Sequence, residues 1–397
     1  MVVKSKRIYA EDGLKDGFLV IKEGKIEGVE ERWDGDFVDY SDMRLIPGIF
    51  DTHNHGTFGY SLINKDEDDS PEKAEKTLRG YLSCCAAQGV TSIMPTVTGG
   101  MIKQVADAAP KLAGCGADII GIHSEGPWLN RTGEKGIWEP WPEVSLEKAK
   151  QMVEDGRGKL KLVGLAPEIE GIGPIADYFL SQGIVLAFAH SNNNYEEAME
   201  AYDKKGLSVA THTGNVMTGM HHRDIGGLGA SLLHENVYCE IICDGMHISL
   251  EMLKVFFRIK DCSKFMMISD LTALSGAQVG KYPNLFPGFN INVMPNGFVL
   301  SDEGRLLGSS QPVLFGIYNL VEKLKMPMET VLQMASLNPS KKYGVADRKG
   351  SIKVGKDADF VAITDDYNAT ATYVSGKKVF DRKDGAVQFN PEFMKPL

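Results

Sequence analysis

The sequence predicts an α/β fold, a (β/α)₈ TIM-like barrel with a small β-sandwich domain formed by both termini. Three observations predict it. Apolar runs of strand length alternate with helix-like segments through the middle of the chain, polar residues able to ligate metals stand after one strand after another, and both ends carry short β pieces punctuated by glycine. A doubly wound open sheet is the alternative topology.

At the N-terminal end, Phe18, Leu19, Val20 and Ile21 lead to Gly24, and Ile26 to Gly28, a hairpin pattern. Residues 352–363 and 371–380 repeat it, with turns at Gly355 and Gly376. The two ends are therefore expected to form one small domain, residues 1–47 with 345–397, around a barrel of residues 48–344. Barrel strands are expected at 45–50, 90–96, 119–123, 160–165, 184–188, 207–210, 237–242 and 265–268. Helices are expected at 71–88, 145–154, 195–205 and 250–259, the last opening after Ser249, a good N-cap. Near-continuous apolar strands alternating with helices imply a parallel sheet, and eight of them imply closure.

The residues at the strand ends are more informative than the strand count. The first strand runs into His53 and His55, the third into His123 and Glu125, the fourth into Glu168, and the fifth into His190. The sixth runs into His212, the seventh into Asp244 and His247, and the eighth into Asp270. In a barrel the C-terminal rim is where loops from different strands converge. Of nine histidines, only His221, His222 and His234 lie away from strand ends.

The chain has 397 residues, 43% hydrophobic and 24% charged, an ordinary globular balance. Its net charge of −10 argues against nucleic acid or an anionic membrane as the main partner. Cys84, Cys85, Cys115, Cys239, Cys243 and Cys262 form no C-x-x-C pair, and most sit in apolar runs, as in a reduced, intracellular protein. No apolar leader and no membrane-length stretch is present, so a cytoplasmic location is expected.

In an extended segment residues i and i+2 point the same way, so His53 and His55 can share one cation. His53, His55, Glu125, His190, His212 and Asp270 together offer nitrogen and oxygen ligands for one or two divalent ions such as zinc, iron(II) or manganese. Taken singly, His190 reads as an ordinary core or loop histidine, Glu125 as a turn cap and Asp270 as a helix N-cap. Their joint placement at the ends of five strands is what points to a metal centre. Such a metal acidifies water and polarises a carbonyl, which is hydrolytic chemistry, and Asp270 is placed to act as general base and then general acid. His247 is a candidate substrate contact, and Arg223, in a glycine-rich loop with Gly214, Gly219, Gly226, Gly227 and Gly229, suits an anionic group such as phosphate.

The chain resembles the N-acetylglucosamine-6-phosphate deacetylases of the amidohydrolase superfamily over nearly its whole length. The matching stretches are Pro47-Gly48-Ile49-Phe50-Asp51-Thr52-His53-Asn54-His55-Gly56, His123-Ser124-Glu125-Gly126-Pro127-Trp128-Leu129-Asn130, Ala189-His190-Ser191-Asn192 and Asp244-Gly245-Met246-His247. Thr211-His212, His221-His222-Arg223, Leu337-Asn338-Pro339-Ser340 and Gly355-Lys356-Asp357-Ala358-Asp359 match as well. The resemblance implies Glu125, His190 and His212 as ligands of a principal metal, His53 and His55 as support for a second, and Asp270 as acid/base. It also implies that Asn215, the Val216 backbone, Arg223, His247 and Leu306-Leu307-Gly308 contact an amino-sugar phosphate, with Arg223 reaching across a homodimer.

Three positions depart from the family pattern. Where the family has K-G-x-His, this chain has Lys135-Gly136-Ile137-Trp138, and the Trp138 indole can only donate one hydrogen bond toward substrate. Asn215 is followed by Val216, and Asp270 by Leu271-Thr272, where the family carries small residues. A pocket reshaped in this way leaves another N-acyl or cyclic amide, such as N-acetylgalactosamine 6-phosphate or an N-acyl amino acid, as the alternative substrate. An inactive barrel kept as a binding module would be expected to have shed ligands, and this chain keeps all six.

Overall fold

A computed structural model of the chain describes residues 1–63, 70–97, 101–130, 143–283, 290–385 and 387–397. Both ends enter one sheet. Val2–Ala10 pairs antiparallel with Gly13–Lys22, which pairs with Lys25–Glu30. On its other side Val2–Ala10 runs parallel to Arg44–Pro47, which is followed by Phe360–Ile363, Ala369–Val374 and Lys377–Asp381. The sheet curls until its ends meet: Ala358 N donates to Gly24 O at 2.8 Å, and Gly376 N to Ala358 O at 3.0 Å. Val3, Leu19, Ile21, Leu45, Phe360 and Tyr373 fill the space it encloses. Gly24 is required at that meeting point, because its φ is 77° and a Cβ would lie 2.8 Å from Ser375 O.

The middle of the chain forms the expected barrel of parallel strands. Ile49–Asn54, Val90–Val97, Ile122–Glu125, Leu160–Leu165, Val185–Phe188, Val209–Ala210, Tyr238–Ile242 and Phe265–Ile268 pair in sequence order. The ring closes between the last strand and the first, with Asp270 N donating to His53 O at 2.9 Å and His55 N to Leu271 O at 2.8 Å. Phe50, Met94, Leu162, Ala187, Val209 and Met266 plug the lower interior, while the alternate side chains pack outward beneath the helices. Apolar residues fill the bottom, so the polar chemistry is confined to the upper half.

Four of the helices match the expected positions: Pro71–Ala87, Leu146–Gly156, Tyr195–Lys204 and Leu250–Ile259, the last capped by Ser249. Ile102–Ala108, Ile172–Ser181, Gly226–Leu233 and Val313–Tyr318 complete the outer layer. Gly226–Leu233 corrects the reading of that glycine-rich stretch as a loop. Its glycines serve close packing: a Cβ on Gly227 would sit 3.0 Å from the Phe188 ring.

Two strand expectations are also corrected. The predicted run 45–50 divides at Gly48, with Arg44–Pro47 in the terminal sheet and Ile49–Asn54 in the barrel. A Cβ at Gly48 would fall 2.1 Å from Thr91 Oγ1, so the chain crosses between sheets at the one residue that fits. The predicted run 119–123 likewise breaks into Asp118–Ile119 and Ile122–Glu125, which moves Glu125 inside the strand proper. A three-stranded antiparallel sheet, Gly280–Tyr282, Ile291–Val293 and Val299–Ser301, intervenes before Val313–Tyr318.

Sheet and barrel are clamped by Lys349. Its side chain is 1% exposed, with Nζ 2.5 Å from Asp359 Oδ2 in the terminal unit and 2.9 Å from Asp118 Oδ2 beside the barrel. Burial alone would pull this ammonium down, but the Asp359 and Asp118 charges hold it above the usual lysine range. All six cysteines are free thiols. Among the described residues no helix is long and apolar enough to cross a membrane.

Candidate metal centre and active site

At the rim the backbone leaves its ordinary conformations. His190, His212 and Asp270 have φ values of 47°, 28° and 51°. Such geometry costs an L-residue about 1–3 kcal/mol and persists only where the surroundings over-determine it. For Asp270 they do: its N–H is bound to His53 O, and its own carbonyl accepts from Ser309 N at 2.9 Å.

The six sequence-predicted ligands come together in one cluster centred on Glu125. Its Oε1 lies 3.0 Å from both His190 Nε2 and His212 Nε2, and those nitrogens are 3.1 Å apart. Its Oε2 lies 3.0 Å from His55 Nε2, which is 3.2 Å from His53 Nε2. Asp270 Oδ1 stands 3.5 Å from His53 Nε2 and 3.6 Å from His55 Nε2. These six form two ligand groups, Glu125 with His190 and His212, and His53 with His55 and Asp270; a third group among the described residues, His53 with His123 and Glu240, lies below them. Glu125 faces both rim groups.

This arrangement fits divalent cations. Two pairs of imidazole Nε2 atoms face one another at 3.1–3.2 Å around carboxylate oxygens, so their lone pairs converge unless something positive lies among them. The Nδ1 atoms of His55, His190 and His212 are buried with no hydrogen-bond partner, so these rings are held by their Nε2 sides alone. Burial opposes the charged form of His53, yet Asp270 and Glu125 outweigh it and hold the imidazole well above its usual range. Burial likewise pushes Glu125 up, but the His53 charge and the hydrogen bonds from His190 and His212 hold its carboxyl well below normal. Carboxylates and imidazole nitrogens converging in this way suit a divalent cation, which would take the place of the extra proton that His53 otherwise holds.

Beneath the rim lies a polar layer that sequence reasoning passed over. Glu240 is fully buried, accepting from Thr52 Oγ1 at 2.8 Å and standing 3.1 Å from His53 Nδ1. Asp51 accepts from Ser269 Oγ at 2.5 Å and from Asn54 Nδ2 at 3.2 Å, and burial pushes its carboxyl up to about 6. His123, expected at the rim, is wholly buried, with Nδ1 3.2 Å from Thr96 Oγ1. The available signal was alternation: a carboxylate between Cys239 and Ile241, which face the helices, must point into the barrel and there needs partners.

The candidate substrate contacts are distributed around this cluster. Asn215 N and Nδ2 both donate to His212 O, at 2.9 and 3.2 Å, and Val216 comes next with φ 48°. His247 Nδ1 lies 2.8 Å from Asp244 Oδ2, which orients its ring. Leu306-Leu307-Gly308 leads directly into Ser309, which pairs with the Asp270 backbone, and a Cβ on Gly308 would strike Thr272 at 2.4 Å. Arg223 is exposed, on a pocket bounded by Asn194, Tyr195, His222 and Asp224 that includes none of the six ligands. Trp138 lies outside the described residues. His234 pairs with Asp203 at 3.1 Å on the surface.

Comparison with known proteins agrees with this geometry. The chain is 29% identical over 378 residues to an N-acetylglucosamine-6-phosphate deacetylase from Vibrio furnissii, covering 92% of each chain. It is 29% identical over 388 residues to an N-acetylgalactosamine-6-phosphate deacetylase from Escherichia coli O157:H7, covering 95% of this chain and 98% of that protein. A crystal structure of N-acetylglucosamine-6-phosphate deacetylase from Pasteurella multocida superposes with a TM-score of 0.81 at 27% identity, covering 95% of this chain and 98% of that one. Residues 44–379 match the amidohydrolase family model, a span that takes in every barrel strand and all six candidate ligands, and the chain belongs to the amidohydrolase family.

Proposed function

We propose that this protein is a metal-dependent hydrolase that removes the acetyl group from an N-acetyl amino-sugar phosphate, N-acetylglucosamine 6-phosphate first among them, giving glucosamine 6-phosphate and acetate. The observation that carries the reading is Glu125 Oε1, set 3.0 Å from both His190 Nε2 and His212 Nε2, three residues that stand at the ends of three separate strands. Glu125, His190 and His212 would hold the principal cation, and His53 and His55, with Asp270 beside them, a second; zinc, iron(II) and manganese all suit these ligands. A divalent cation there supplies Lewis acidity for water and for the amide carbonyl.

The chain's own groups do the rest. Asp270 takes the proton from the attacking water and returns it to the departing nitrogen, so that the amide C–N bond breaks to acetate and a free amine. Asn215, the Val216 backbone, His247, Leu306-Leu307-Gly308 and Trp138 position the sugar, and Arg223, supplied across a homodimer, binds its phosphate. The terminal unit of residues 1–47 and 345–397 supports the catalytic unit of residues 48–344. A phosphorylated substrate and free thiols support a cytoplasmic site of action.

A second reading, N-acetylgalactosamine 6-phosphate as substrate, is favoured by one observation: the relative named for that activity is as similar as the one named for the glucosamine epimer. The test is acetate release from both epimers, from their unphosphorylated forms and from N-acyl amino acids. Arg223→Ala is expected to raise KM for the phosphorylated sugars by about 10–100-fold, the worth of a charge-assisted hydrogen bond, and to leave the unphosphorylated ones unchanged. Equal loss on both would remove phosphate from the reading.

A further inference from the structure

The proposed reaction makes no direct use of Glu240, although a carboxylate wholly buried in the barrel carries a desolvation cost of several kcal/mol. Tyr238–Ile242 alternates, with Cys239 and Ile241 packed outward under the helices, so Glu240 faces the interior. Its two oxygens have distinct partners. Thr52 Oγ1 donates to Oε1 at 2.8 Å, and His53 Nδ1 lies 3.1 Å from Oε2.

An ionised carboxylate can only accept, so His53 Nδ1 is the nitrogen that carries the proton. Nε2 is then the nitrogen left to present a lone pair to a cation, which would displace the ring's second proton. That atom lies 3.2 Å from His55 Nε2, 3.5 Å from Asp270 Oδ1 and 3.7 Å from Glu125 Oε1, among the other candidate ligands. Thr52 and His53 are consecutive, so Glu240 grips the first strand at the two residues that set the ring's direction.

We propose that Glu240 is a positioning residue for a cation held by His53 and His55: from below, it fixes the His53 tautomer and ring so that Nε2 faces the rim. The proposal rests on the metal reading of the site and extends it to the seventh strand, two places round the ring from the strand that carries the opening histidine pair. Partners of this kind are worth about 10–100-fold in metal affinity.

The test is titration of the metal-stripped full chain with cobalt(II), followed by visible absorption, in wild type, His53→Ala, Glu240→Leu and Glu240→Gln. Wild type is expected to bind cobalt in two events, the one abolished by His53→Ala being weakened about 10–100-fold in Glu240→Leu. Glu240→Gln, whose amide oxygen still accepts from His53 Nδ1, is expected to recover most of that affinity. Nitrogen NMR of the zinc-loaded wild type should show His53 protonated at Nδ1, a reading independent of how any variant folds. Unchanged cobalt affinity in Glu240→Leu, or His53 protonated at Nε2, overturns the proposal. A single cobalt event insensitive to His53→Ala overturns it while leaving the principal metal intact, whereas no cobalt binding by wild type overturns the metal reading itself.

Discussion

Asp270→Asn is expected to keep its metal and lose about 10²–10⁴-fold in kcat, the usual contribution of a positioned general acid/base. The substitution is nearly isosteric. A carboxamide keeps an oxygen where Asp270 Oδ1 stands, 3.5 and 3.6 Å from the His53 and His55 nitrogens, so the cluster is preserved. What it cannot do is take a proton from water at neutral pH. The strained backbone at φ 51° is held by the hydrogen bonds to His53 and Ser309, which involve main-chain atoms and survive the change. Elemental analysis and acetate release on the same preparation separate the roles. Metal retained with turnover lost supports proton transfer, metal lost with turnover makes Asp270 chiefly a ligand, and a near-normal kcat excludes it from the chemistry.

Lys349→Met is expected to cost about 3–5 kcal/mol of stability, the range for removing one partner of a buried ion pair. The methionine fills the space but leaves Asp359 and Asp118 facing each other without a cation. Asp359 is 4% exposed, and its other oxygen is already committed to Ser375 N at 2.7 Å, so it cannot turn out to water. Lys349 touches none of the rim ligands, so the folded variant should keep its kcat. Urea denaturation followed by fluorescence gives the loss, and a change below about 1 kcal/mol would show that the clamp between sheet and barrel is carried by apolar packing instead.

The barrel and its rim were legible because their signals are repetitive. Each strand is an apolar run, and a residue that ends one, such as His190 or Asp270, announces itself by polarity against that background. Glu125 was legible for the same reason, although its strand breaks at Gly121, where a Cβ would sit 2.4 Å from Lys161. Glu240 was not, because a single carboxylate inside an apolar strand has no spacing to read and acquires meaning only when closure of the ring brings Thr52 and His53 within two strands of it. Gly226–Leu233 was hidden by its glycines, which signal a loop in sequence and close helix packing in space. The expected unit boundary falls between 47 and 48, yet the splitting of the apolar run 45–50 at Gly48 was hidden because both sheets want the same apolar residues. Lys349 reads as an ordinary surface lysine until Asp118 and Asp359 are brought to it from 231 and 10 residues away.

The measurement closest to the central claim is acetate release from N-acetylglucosamine 6-phosphate by the full chain before and after removal of its metal, with the ions counted on the same sample. About one to two divalent ions per chain are expected, from six rim ligands that form two of the three groups present. Stripping them should abolish release, and adding back a single divalent metal should restore it. Full activity in protein shown to be free of metal would contradict the account.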